Sequence, residues 1–191
     1  MQLKKAFNFL NRLPVKLNNF HIIRLKSKIV IKNKSKDKKT FDPVTNLDQA
    51  FEKYIRLLII KKFPQDSIIG EEFKKKESLN DYTWTIDPID GTKAFVIGAP
   101  TWSNLIGLSY LKKSLLGLAN FPELNKYYIN DKNRSYVCKN KKKYILRSSK
   151  NINLRTVKVI SHGNIDYEKL RKISKKFGPQ FRIASFDALN F

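Results

Sequence analysis

Six residues near the middle of the chain, Asp87-Pro88-Ile89-Asp90-Gly91-Thr92, leave the backbone few paths. The preceding run "YTWTID" alternates and is β-branched and aromatic, so it reads as a strand. Pro88 removes a backbone donor and Gly91 permits a tight bend, so the strand is expected to stop at the aspartates. If Thr92 to Phe95 then starts a helix, its unpaired N–H groups and positive dipole end face whatever the aspartates hold. Two hard carboxylates beside a helix start suit Mg²⁺ carrying a phosphate. An Asx-type turn with no ligand is the plainer reading of the same residues.

The surrounding chain supplies a third carboxylate. Leu47, Phe51, Tyr54, Ile55 and Leu58 recur at helical spacing, which predicts an amphipathic helix over 47–62 closed by Pro64. "DSIIGEEF" follows as a short strand and "KKKESLND" as a turn, so Glu71 and Asp87 fall near the ends of neighbouring strands. Three carboxylates are enough for a two-metal hydrolytic site, although a Glu-Glu pair such as Glu71-Glu72 is more often a solvated pair. Further on, "WSNLIGLSYL" and "SLLGLANF" read as a hairpin across Lys112 and Lys113. "TVKVIS" and "FRIAS" read as strands, and "YEKLRKISKKF" as a helix. Strands flanked by helices predict a layered α/β or α+β fold in one domain.

Charge needs separate treatment, because 191 residues with 39 Lys+Arg, 16 Asp+Glu and a formal net charge of +23 look like a nucleic-acid binder. Between Asp37 and Asp90, however, eleven of the acidic residues meet nine basic ones. That stretch carries −2 and the rest of the chain +25. An acidic island in a basic chain is what a cation site produces, and also what a mixed-charge helix face produces. The remaining lysines look scattered along the sequence, and Tyr127-Tyr128 beside Lys126 is a thin candidate for a stacking face, so nucleic acid is not an expected partner. No apolar run nears the roughly 18 residues of a membrane helix, and the basic N-terminus lacks a signal-peptide core. With one cysteine, Cys138, placed in a polar turn, the expectation is a cytoplasmic protein.

"FDPVTNLDQAFEKYI", "FPQDSIIGEEF" and "WTIDPIDGTKAFVIGAPTWSNLIGL", in this order and spacing, resemble the inositol monophosphatase superfamily of Mg²⁺-dependent phosphomonoesterases from about Phe41 onward. Lys93 after Gly-Thr and the "GAPTWSNLIGL" run look closest to its histidinol-phosphatase-like branch. The resemblance implies the family's sandwich of helices and sheets, shared with fructose-1,6-bisphosphatase. It also implies Mg²⁺, a small phosphorylated alcohol as substrate, and a homodimer for the full-length protein. Histidinol phosphate is the favoured substrate. An inositol phosphate or a 3′(2′),5′-bisphosphate nucleotide is the alternative, and a basic nucleic-acid-binding protein or an inactive fragment is the rival of another class.

Carried across at matching positions, the resemblance makes Glu71, Asp87, Asp90 and the Ile89 carbonyl the metal ligands. Gly91 and Thr92 cradle the phosphate with Asp90 beside them, and Thr92 with Asp48 orients and deprotonates the attacking water. Asp48 has a second reading, since Thr45-x-x-Asp48 also resembles a helix capping box. Asp187 is a substrate contact only if "SFD" stands where that branch has Gly-Gly-Asp. His21, His162 and Cys138 lie outside the motifs. The layout expected is a basic segment over 1–40, the metal and phosphate motifs over 41–121 and the start of a further α/β part over 122–191. Pro14 is expected to interrupt the family's first long helix. Family members continue past "FRIAS" with more sheet and a Trp-Asp motif, so this chain alone is expected to be weakly active and prone to aggregate.

Overall fold

The computed structural model describes residues 2–26, 28–34, 43–148, 150 and 153, together with 159–162, 168, 171, 172, 175 and 180–183. The chain divides into two units, Met1–Leu146 and Arg147–Phe191.

The first unit opens with α1 (Gln2–Arg24), which runs straight through Pro14 instead of breaking there. A proline inside a helix costs roughly 3 kcal/mol because it removes one N–H bond and crowds the preceding turn. Leu10, Leu13 and Leu17, all fully buried on the same face, gain about 1.5–3 kcal/mol each by leaving water, and that burial wins. Pro14 itself is buried in this face.

A two-stranded antiparallel ribbon follows, β1 (Ile31–Asn33) on β2 (Pro43–Thr45), and leads directly into α2 (Asn46–Lys62). Leu47, Phe51, Ile55 and Ile59 form the buried stripe of α2, as the spacing predicts, but Asp48 and Glu52 are buried with them. Helices α1 and α2 lie antiparallel. Phe9 meets Phe63 edge-on at one end, and Phe20 stacks on Tyr54 at the other with centroids 4.5 Å apart.

Both helices pack against a seven-stranded sheet of order β3-β4-β5-β6-β7-β8-β9. Its strands are β3 (Ser67–Gly70), β4 (Tyr82–Asp90), β5 (Ser103–Tyr110), β6 (Lys113–Phe121), β7 (Lys126–Asn130), β8 (Ser135–Lys139) and β9 (Lys142–Ile145). β3 and β4 are parallel and every later pair is antiparallel. The five-residue helix α3 (Thr92–Val96) sits between β4 and β5.

Two more sequence expectations change here, and one feature is new. Pairing of β4 continues past Pro88 to Asp90, because the ladder with β5 shifts register between Asp87 and Asp90 and so tolerates the missing donor. Cys138 lies on β8, 5% exposed, and not in a polar turn. The meander β7–β8–β9 was not foreseen: β9 is exposed along its whole length, so its lysines leave no alternating apolar pattern to read.

In the second unit β10 (Val159–His162) and β11 (Gln180–Ile183) form a parallel pair. Most of the helix expected over 167–177 lies outside the described residues, as does Asp187.

Candidate active site

The parallel pair β3 and β4 delivers two groups of carboxylates side by side. Gly70 pairs with Ile86, so Glu71 leaves β3 one step from where Asp87 sits on β4. After Asp90 the chain turns at Gly91, whose φ of 80° is the left-handed conformation that side chains resist, and Thr92 begins α3. The first-turn N–H groups of α3 have no acceptor within the helix.

Asp48 reaches this point from the first turn of α2. Its Oδ2 accepts from the Thr45 backbone N–H at 2.7 Å and from the Thr45 hydroxyl at 2.6 Å, completing the capping box. Its other oxygen, Oδ1, stands 3.4 Å from the Thr92 hydroxyl, which also donates to the Ile89 carbonyl at 3.0 Å. The cap and the Thr92 contact therefore use different oxygens, and the two readings of Asp48 do not compete. Burial pushes the Asp48 carboxyl up, opposed by the Thr45 hydrogen bonds and by Lys34.

Asp87 is the electrostatic centre. Its Oδ1 is buried and has no hydrogen-bond partner among the described residues. Burial first, then the charges of Glu71, Asp90 and Asp48, push its carboxyl up to about 7. Asp90 is held by the Ser103 hydroxyl, which donates to Oδ2 at 3.1 Å. A buried carboxylate oxygen without a partner, ringed by three more carboxylates, is a donor set that a hard divalent cation satisfies. The residues fit such an ion in their chemistry.

The set is not closed, however. Among the described residues no three acidic or imidazole groups already meet around one point. Glu71 is instead paired with the Lys34 ammonium, which lies 2.9 Å from Glu71 and 2.5 Å from Glu72. Burial alone would lower the pKa of Lys34, but its two carboxylate partners outweigh that and hold it above the ordinary lysine value. An incoming cation has to take Glu71 from this ammonium.

Two supporting features escaped sequence reasoning. Glu52, fully buried on α2, accepts from the backbone N–H groups of Glu72 (2.7 Å) and Phe73 (3.2 Å) and from Arg56 Nε (2.7 Å), so it shapes the turn that presents Glu71. A Cβ on Gly70 would stand 2.1 Å from Glu52 Oε1, which explains the glycine before the two glutamates. The only sequence signal was a glutamate inside the apolar stripe of a helix. The second feature is an amide ladder: Asn120 Nδ2 donates to Asn18 Oδ1 and to Asn104 Oδ1, both at 2.9 Å. Asn104 Nδ2 in turn donates to the Pro88 carbonyl at 2.7 Å. This ladder pins the bulge between Asp87 and Asp90. His21 stands apart from the site, 2.6 Å from Glu123.

Known proteins carry the same arrangement of chain. A sequence profile of the inositol monophosphatase family matches residues 16–185. The chloroplastic bifunctional phosphatase IMPL2 of Arabidopsis thaliana is 41% identical over 100 residues, 51% of this chain and 29% of that protein. The histidinol-phosphatase of Chlorobaculum parvum is 44% identical over 86 residues, 45% of this chain and 33% of that one. The matched segments thus span about a third of these curated relatives.

Among solved structures, an IMPase/NADP phosphatase complexed with NADP and Ca²⁺ superposes with a TM-score of 0.82 at 16% identity, over 98% of this chain and 70% of its own. The Thermotoga maritima IMPase gives 0.76 at 25% identity, over 99% and 70%. Fold and motif order point the same way, and the profile match covers most of the sequence: the chain belongs to the inositol monophosphatase family, whose members hydrolyse phosphate monoesters.

Proposed function

We propose that this chain is a Mg²⁺-dependent phosphomonoesterase acting on small phosphorylated alcohols, with histidinol phosphate as its substrate. The observation that carries the reading is Asp87: a buried carboxylate oxygen with no partner among the described residues, surrounded by Glu71, Asp90 and Asp48, at the foot of the Gly91-Thr92 turn. The choice of alcohol rests on the 44% identity to the Chlorobaculum parvum histidinol-phosphatase.

Glu71, Asp87, Asp90 and the Ile89 carbonyl would hold the metal, which when bound supplies Lewis-acid activation of water and neutralises charge on the phosphate. The N–H groups of Gly91 and Thr92 bind phosphate oxygens and fix the phosphorus in front of the water. Thr92 turns its proton from Ile89 to Asp48 Oδ1, 3.4 Å away, and so offers a lone pair to that water. The water's proton passes to Thr92 as the hydroxyl proton passes to Asp48. The oxygen left behind attacks phosphorus in line, the P–O ester bond breaks, and the alcohol oxygen takes up a proton from solvent. The transfer is direct from the ester to water, since the residues named here serve as metal ligands, phosphate donors and a water-orienting pair.

The test is phosphate release from histidinol phosphate, inositol 1-phosphate and a 3′,5′-bisphosphate nucleotide, with Mg²⁺ and with EDTA. The expected result is Mg²⁺-dependent release, fastest from histidinol phosphate and lost in Asp90→Asn. Release that persists in EDTA contradicts the reading, and a faster rate on either other substrate reassigns the alcohol.

A further inference from the structure

The lysines that look scattered along the sequence do not stay scattered in the fold. Helix α1 is 23 residues long and contains no aspartate or glutamate. At about 100° per residue, Lys5, Arg12 and Lys16 fall within about 40° of one another around the helix and share one face, with Lys4 at its edge. Opposite them stand Lys61 and Lys62 from the last turn of α2. Together these six cations wall a groove of about 820 Å³ whose lining includes no acidic residue. All six are exposed, and none is ion-paired among the described residues.

We propose that the groove between α1 and α2 binds a single-stranded nucleic acid along its phosphate backbone. Unpaired like charges confined to one cleft favour a polyanion, because each phosphate bound releases condensed counterions. The cations of α1 extend along the helix from Lys4 to Lys16, about 18 Å of axial rise, and so follow a chain of charges better than a single small anion. Between the cations the lining is Asn8 with the half-buried Phe9 and Leu58, which leave apolar surface for the bases. An acidic peptide fits less well. Both walls are helices with their main-chain groups already bonded internally, so no edge is offered for strand addition. The groove is separate from the phosphatase site: Asp48 and Lys62 are fourteen residues apart on α2, about 21 Å by helix rise.

The experiment is fluorescence anisotropy of a labelled uridine 12-mer on the full chain, in EDTA, at two salt concentrations. Three to four phosphate contacts predict roughly 20- to 50-fold weaker binding between 50 and 200 mM salt. The triple variant Lys4→Glu, Arg12→Glu, Lys16→Glu is expected to weaken binding at least tenfold. A control with the same charge change elsewhere, Lys113→Glu, Lys132→Glu, Lys142→Glu, is expected to stay within about twofold, with circular dichroism confirming that both fold. Arg12→Ala alone, which disturbs folding least, is expected to lose two- to threefold. Equal losses in the two triples, or no salt-dependent binding at all, overturn the groove. Poly-glutamate of matched charge binding as tightly as the oligonucleotide overturns the nucleic acid in favour of an acidic peptide.

Discussion

Burial and three neighbouring carboxylates hold the Asp87 carboxyl near 7, against an ordinary value of 3.8, and the metal-free protein carries the consequence. Between those two pH values the folded chain keeps a proton on Asp87 that the unfolded chain has released, so its contribution to stability is greatest below about 4 and is lost as pH rises to 7. Asp87→Asn removes that titration. In EDTA the variant is expected to melt well above the wild type at pH 8 and close to it at pH 4, and to gain nothing from added Mg²⁺. Parallel melting at both pH values would show that Asp87 does not carry the strain. Gly70→Ala acts from the other side of the site: its Cβ collides with the Glu52 carboxylate, and the expected cost is about 2–3 kcal/mol in chemical denaturation. These residues differ in how far sequence reveals them. The turn at Gly91 was legible because it needs the left-handed conformation that glycine permits, whereas Pro88 misled, since β4 pairs past it to Asp90. Glu52 was not, because its partners, Glu72 and Phe73, lie twenty residues away and only the fold brings them near.

At the scale of elements, α2 and β4 are the pieces that place the chemistry. The start of α2 is written locally, in Thr45 and Asp48, and so is its apolar stripe. α1 shows the opposite case. Pro14 reads as a break, yet three fully buried leucines on one face outweigh the lost hydrogen bond, a balance that needs the sheet and α2 in place. The bulge on β4 depends on β5 and β6 through the asparagine ladder. Asn104→Ala leaves the Pro88 carbonyl without its donor and Asn120 with Asn18 alone as acceptor. The expected loss is about 2 kcal/mol, together with weaker Mg²⁺ binding as Asp87 and Asp90 lose their fixed spacing. Unchanged Mg²⁺ affinity in a destabilised Asn104→Ala protein would separate the ladder from the site.

The whole molecule combines an acidic island with a strongly basic remainder. Sequence located the island, because its carboxylates cluster along the chain. It could not locate the basic groove, because Lys4 and Lys62 become neighbours only when α1 and α2 pack antiparallel. The two charge features also answer to different conditions, one to divalent cation and the other to ionic strength. Whether the acidic island holds a divalent cation is decided by calorimetric titration of Mg²⁺ into the metal-free protein, its Asp87→Asn and Asp90→Asn variants, and an Asp131→Asn control. Saturable binding is expected in the wild type and the control, weakened at least tenfold in the two site variants. Identical isotherms in all four proteins, or none in any, would contradict it.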